Sequence, residues 1–198
     1  VFLMPLAAFV GLIKDLLGKQ TQSDVFVLDL SDKAHGPHGI IAGTTGSGKS
    51  VLLQTLLLSL AVNYSPEQIQ FIMIDYKGGG SFNDFKDLPH SIGFIDNLQS
   101  KRRINRALYS IRGEVHRREE LFKKGMEDIN KYIKLINPNP KKKKLGHILI
   151  VIDEFSELMD EMPDFMPELI SLARVGRSAG LHLLLATQRP SNKVGPEI

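Results

Sequence analysis

Short, nearly uninterrupted apolar runs alternate along the chain with longer amphipathic stretches, and that rhythm predicts an architecture. Positions 39–42, 69–74, 92–95, 147–152 and 181–186 are apolar runs of strand length. The fourth is the purest, His147 followed by Ile148-Leu149-Ile150-Val151-Ile152. Runs this apolar read as strands buried on both faces, as in a parallel sheet. Between them, apolar residues recur at helical spacing over 51–62, 101–124, 126–136 and 164–177. In 101–124 the apolar face is Ile104, Leu108, Ile111, Val115 and Phe122, with Arg and Glu opposite; in 164–177 it is Phe165, Leu169, Leu172 and Val175. Nearer the start, 24–30 alternates as a strand does, and 12–17 reads as a short helix stopped at Gly18. Ser65-Pro66-Glu67 and Asn137-Pro138-Asn139-Pro140 are breaks. Strands separated by helices predict an α/β fold, a parallel sheet with helices on both faces.

In such sheets ligands lie at the carboxyl ends of the strands, and the chemistry-bearing residues of this chain cluster there. Behind the 39–42 strand comes Gly43-Thr44-Thr45-Gly46-Ser47-Gly48-Lys49-Ser50, which fits the phosphate-binding pattern G-x-x-x-x-G-K-S/T, with a helix following. Glycines let the backbone turn so that successive N–H groups point at phosphate oxygens, and the helix adds its positive end. Lys49 is expected to reach the β- and γ-phosphates and Ser50 to supply a hydroxyl to Mg²⁺. Gly43, Thr44, Thr45, Gly46, Ser47, Gly48, Lys49, Ser50 and Val51 form the candidate nucleotide site.

Asp153 closes the 147–152 strand, where the Mg²⁺-associated acid of phosphoryl-transfer enzymes sits, and Glu154 beside it has the position of a water-activating carboxylate. The alternative is an acidic pair capping the next helix, through Glu154 or Ser156. Thr187 and Gln188 end the last strand; they either sense the γ-phosphate and orient water or cap the strand. Arg174 and Arg177, one helical turn apart, are candidates for an arginine finger reaching a neighbouring subunit's site. His35 and His38 flank Gly36-Pro37 as turn residues rather than metal ligands.

Composition bounds the class. The 198 residues suffice for one α/β domain, and 42% apolar with 24% charged residues is ordinary for a globular protein. A net charge of +3 implies no strong field for nucleic acid or membrane. Without cysteine there are no disulfides and no thiolate metal sites. The apolar stretch 1–13 is shorter than the roughly 20 residues a membrane span needs. Lys141 to Lys144 read most simply as a solvated loop, with a patch for an acidic partner as the lesser reading.

The motifs together resemble a known family. Lys33-Ala34-His35-Gly36-Pro37-His38-Gly39, the phosphate loop, Ile74-Asp75-Tyr76-Lys77-Gly78-Gly79-Gly80, Ile152-Asp153-Glu154-Phe155 and Ala173-Arg174-Val175-Gly176-Arg177-Ser178 resemble the FtsK/SpoIIIE motor ATPases. The Asp75 to Gly80 stretch, and Phe85-Lys86-Asp87-Leu88-Pro89-His90, are similar to the EssC/EccC branch of type VII secretion rather than to the DNA-translocating branch. The resemblance covers about 24–190. It implies a RecA-like P-loop fold, ATP with Mg²⁺, tandem or hexameric assembly, a place at the cytoplasmic face of the membrane, and export of small helical WXG-type proteins. It is the first of the branch's tandem ATPase domains that the chain resembles. Lys49, Glu154 and Gln188 would be catalytic, and Ser50 and Asp153 would hold the metal. Val51 departs from the branch, which often has an acidic residue there. The resemblance leaves 1–23 unassigned, and 24–198 is expected to be the family's ATPase domain, lacking its final strands. Two other readings stay open: a DNA translocase, and a nucleotide-binding assembly module with little turnover.

Overall fold

The computed structural model describes residues 14–19, 25–30, 35–76, 78, 80–96, 101–122 and 125–189. Five parallel strands form the central sheet: β3 (His38–Ala42), β4 (Ile69–Asp75), β5 (Ser91–Ile95), β6 (His147–Asp153) and β7 (Leu181–Thr187). Their spatial order is β3-β7-β6-β4-β5, so the chain leaves β3, crosses two strand positions to β4, steps out to β5, and returns inward through β6 to β7. Reversals of this kind open a crevice at the carboxyl ends of the strands.

Alternation along each central strand explains why these runs are apolar throughout. Ile69, Phe71 and Met73 of β4, Leu149 and Val151 of β6, and Leu184 and Ala186 of β7 point to one face, where α1 (Lys49–Asn63) covers them. On α1 the buried apolar residues are Leu53, Leu56, Leu57 and Leu60, at helical spacing. The opposite face carries Ile74, Ile148, Ile150, Ile152, Leu181, Leu183 and Leu185, under α2 (Lys101–Phe122), α3 (Ile129–Leu135), α4 (Phe155–Glu161) and α5 (Phe165–Gly176). Each fully buried aliphatic side chain contributes about 1.5–3 kcal/mol relative to exposure. Asp128 caps α3, its carboxylate accepting the Lys131 N–H at 2.9 Å. Gly180, at φ +81°, turns the chain from α5 into β7, and an added Cβ would press on Ile129.

Two expectations are corrected. The 12–17 helix is absent from its described part: Lys14–Lys19 is strand β1, antiparallel to β2 (Val25–Asp29), with Lys14 opposite Asp29 and Lys19 opposite Val25. Six residues are too few for a helix to persist alone, and β2 offers a pairing partner. The 24–30 strand agrees with β2.

The second concerns α2, whose polar residues do not all lie opposite its apolar face. Arg118 completes the stripe Ile104, Leu108, Ile111, Val115 and Phe122 and is 2% exposed. Its guanidinium donates to Glu114 Oε1 at 2.8 Å, to Gly146 O at 2.8 Å and to Ala179 O at 2.7 Å. It thereby ties α2 to the chain just ahead of β6 and β7. Burial pushes the Glu114 carboxyl up, but Arg117 and Arg118 outweigh that and hold it at about 2. Arg118→Ala leaves the buried carbonyls of Gly146 and Ala179 short of a donor, while Glu114 keeps Arg117, and is expected to cost about 2–5 kcal/mol in urea unfolding. A loss under 1 kcal/mol would show that the clamp does not hold α2.

Lys141 to Lys144 are exposed, and Lys144 pairs with Glu67 at 2.6 Å, consistent with a solvated loop. His35 and His38 each accept a backbone N–H, from Asp29 at 2.9 Å and Leu183 at 3.1 Å. No described helix is long and apolar enough to cross a membrane.

Candidate active site

The carboxyl ends of β3, β6 and β7 bring the predicted residues into one place. At the end of β3 the Gly43 N–H donates to Thr187 O at 3.1 Å, fixing the loop's entry to the end of β7. Gly46 and Gly48 have φ of +79° and +88°, in the left-handed region that a side chain makes costly. An added Cβ at Gly43 would collide with Ser47 Oγ. Thr44, Thr45, Ser47 and both turn glycines are exposed, so the loop presents its backbone outward. α1 starts directly behind Gly48, which puts its positive end at the loop. These features fit a phosphate group.

Lys49 opens α1 with its side chain buried, and its ammonium contacts Asp153 Oδ1 and lies 3.7 Å from Glu154 Oε2. Ser50 Oγ is 3.5 Å from Asp153 Oδ2. A hydroxyl and a carboxylate converging from α1 and β6 make a hard, all-oxygen donor pair, which fits Mg²⁺ held jointly with phosphate oxygens. Val51 is 64% exposed on the first turn of α1.

Glu154 is the one non-glycine residue at positive φ among the described residues, at φ 63° and ψ 56°. A left-handed backbone costs about 1–2 kcal/mol for an L-residue. The Glu154 carboxylate accepts no backbone N–H of α4, so the capping alternative is set aside. Glu154 Oε1 accepts from Ser156 Oγ at 2.6 Å and Thr187 Oγ1 at 3.0 Å, while the Gln188 N–H lies 3.2 Å from Oε1 and 3.1 Å from Oε2. Burial pushes this carboxyl up. The bonds from Ser156, Gln188 and Thr187 and the Lys49 charge outweigh it and hold it below the ordinary glutamate range. Glu154 is therefore ionised at neutral pH.

Gln188 serves both neighbours, since its side-chain Oε1 accepts from Thr45 Oγ1 at 2.9 Å. Thr187 Oγ1 also meets Ser156 Oγ at 2.9 Å. The end of β7 is thus joined to the phosphate loop and to the acid of β6 at once. Arg174 and Arg177 are not brought to this cluster: both lie exposed at the end of α5, which leads into the opposite, amino end of β7.

Sequence reasoning missed two members. Asp75 ends β4 in register with Asp153 and is 2% exposed. Ser81 follows the glycine stretch, and its hydroxyl donates to Asp153 Oδ2 at 3.0 Å. The signal for Asp75 was its place at a strand end; Ser81 had none beyond the glycines before it.

The chain is similar to known proteins over most of its length. The family model described as FtsK/SpoIIIE matches residues 10–192. The type VII secretion system protein EssC of Staphylococcus aureus is 50% identical over 183 residues, which cover 92% of this chain and 12% of that protein. The chain thus spans about an eighth of the length of that relative. Among solved structures, the cytoplasmic domain of the Thermomonospora curvata type VII secretion ATPase EccC superposes with a TM-score of 0.84 at 36% identity, over 95% of this chain and 22% of that one. The pCW3 conjugation coupling protein TcpA, in a structure with ATPγS, gives a TM-score of 0.73 at 27% identity, over 100% of this chain and 55% of that one. With the loop, the acids and the sheet order all in place, and the family model matching most of its length, the chain belongs to the FtsK/SpoIIIE family.

Proposed function

We propose that this chain is an ATP-binding and ATP-hydrolysing motor domain, and that it powers export of small helical WXG-type proteins in a type VII secretion system. The observation that carries the reading is the meeting of Lys49 and Ser50 from α1, Asp153 at the end of β6, Glu154 next to it, and Gln188 just past β7 in one hydrogen-bonded cluster. The likeness to secretion ATPases supports the substrate class, and the TcpA structure with ATPγS supports the nucleotide.

Each residue has a definable task. The N–H groups of the phosphate loop and the start of α1 hold the phosphates. Lys49 exchanges Asp153 for phosphate oxygens, which couples phosphate binding to the release of a carboxylate. Ser50 and Asp153 hold Mg²⁺, which when bound neutralises charge on the transferring phosphoryl group. Glu154, kept ionised, takes a proton from the attacking water. The Gln188 amide, lying against Thr45, helps to position that water and reports on the phosphate end through β7.

The chain is proposed to act beside other ATPase domains of the same protein or in a homo-hexamer, at the cytoplasmic face of the membrane through regions outside it. Arg174 and Arg177 lie away from the chain's own phosphate loop, so either acts only on a neighbour. Phosphate release per chain is therefore expected to rise with protein concentration, by a factor of about 10 or more given the size of arginine-finger effects. A flat dependence would remove both arginines from the mechanism. Duplex DNA is expected to leave the rate unchanged; stimulation that falls steeply with salt would favour a DNA translocase instead.

A further inference from the structure

We infer that Ser81 is a positioning residue for the metal acid, locking the Asp153 carboxylate toward Ser50; the inference rests on the proposed Mg²⁺–nucleotide site. Ser81 is held by three elements of the fold. Its N–H donates to Asp75 Oδ2 at 2.9 Å, at the end of β4. Its carbonyl accepts from Gln54 Nε2 of α1 at 2.8 Å. Its hydroxyl donates to Asp153 Oδ2 at 3.0 Å, at the end of β6.

The arrangement has a local cause. β4 and β6 pair in register with Asp75 opposite Asp153, so the chain leaving β4 passes over the end of β6. Gly78 and Gly80, at φ +63° and +74°, fold it back, and an added Cβ at Gly80 would come within 3.0 Å of the Asn83 side chain. Gln54 lies four residues beyond Ser50, on the same face of α1, so one helix face delivers the metal-ligating hydroxyl and the clamp on Ser81.

Asp153 is shared between two roles. Oδ1 contacts Lys49, whereas Oδ2 faces Ser50 and Ser81. A carboxylate pivots about its own axis unless a second bond fixes it. When Lys49 turns to phosphate, the Ser81 hydroxyl is what keeps Oδ2 on the Ser50 side. Partners of this kind outside the ligand set typically contribute about 10- to 100-fold to metal affinity. Neither the phosphate loop nor Glu154 touches Ser81 in this network, so its loss bears on the metal and leaves metal-free nucleotide binding alone.

The test uses ADP, so that turnover plays no part. Mn²⁺ binding to the chain with saturating ADP is followed by electron paramagnetic resonance, and ADP affinity is measured separately in EDTA. Ser81→Ala is expected to weaken Mn²⁺ at least about tenfold, with ADP affinity in EDTA unchanged, and Ser81→Thr to restore the wild-type value. Unchanged Mn²⁺ affinity in Ser81→Ala overturns the inference. So does a parallel loss of ADP affinity in EDTA, which would make Ser81 a support for the phosphate loop. A wild-type chain that binds ADP with no Mn²⁺ coupling would instead refute the metal site itself, and this pattern is distinguishable because it needs no substitution.

Discussion

Lys49→Ala is expected to lower ATP affinity by about 10²- to 10⁴-fold, since it would remove two charge-assisted contacts to phosphate in the proposed complex, at about 1.5–3 kcal/mol each, and every 1.4 kcal/mol is tenfold. The structure adds a second consequence. Lys49 is the cation between Asp153 and Glu154, which are 6% and 1% exposed. Without it two buried carboxylates lose the cation they share, which is destabilising. The variant should therefore melt at a lower temperature than the wild type. Isothermal titration with ATP–Mg²⁺, beside melting curves, reads both effects. A folded Lys49→Ala chain of unchanged ATP affinity would mean that residues 43–50 do not hold phosphate.

Glu154→Gln separates binding from chemistry. The amide has nearly the size of the carboxylate and its oxygen still accepts from Ser156 and Thr187, so the turn at φ 63° and the tie to β7 persist. It has no basic oxygen for the proton of an attacking water. General-base contributions are typically 10²- to 10⁴-fold, and phosphate release is expected to fall by about that amount with ATP affinity little changed. The carboxylate's depressed pKa also fixes the pH behaviour. Burial works against the charge, but Ser156, Gln188, Thr187 and Lys49 keep Glu154 ionised. Activity that depends on its charge is then present at neutral pH and lost only as pH falls below the ordinary glutamate range.

What could be read from the sequence was what is local in the chain. The phosphate loop is eight consecutive residues, and its glycines, lysine and serine have meanings set by spacing alone. Asp153 was legible because a run of six buried positions makes the next polar residue a strand end. The P-loop α/β fold followed from the same runs, and the five parallel strands agree with it. What escaped depends on contacts across the sheet. Whether Glu154 caps α4 or reaches β7 is decided by a partner 33 residues on. Ser81 acquires its role only because β4 and β6 pair in register. Arg118 sat in the apolar stripe of α2 by its spacing, yet its charge placed it on the polar face until the carbonyls of Gly146 and Ala179 were seen to receive it. The 12–17 stretch failed for the complementary reason, because β2 supplies a partner that helical spacing cannot reveal.

The most direct measurement is ATP–Mg²⁺ binding and phosphate release on the same preparation, for the wild-type chain and Glu154→Gln, across a range of protein concentrations. The predicted result is saturable binding by both, with release from the wild type that grows with concentration and falls by about 10²-fold or more in the variant. Tight binding with no release at any concentration, and no difference between the two chains, would contradict it and leave a nucleotide-binding module in place of a motor.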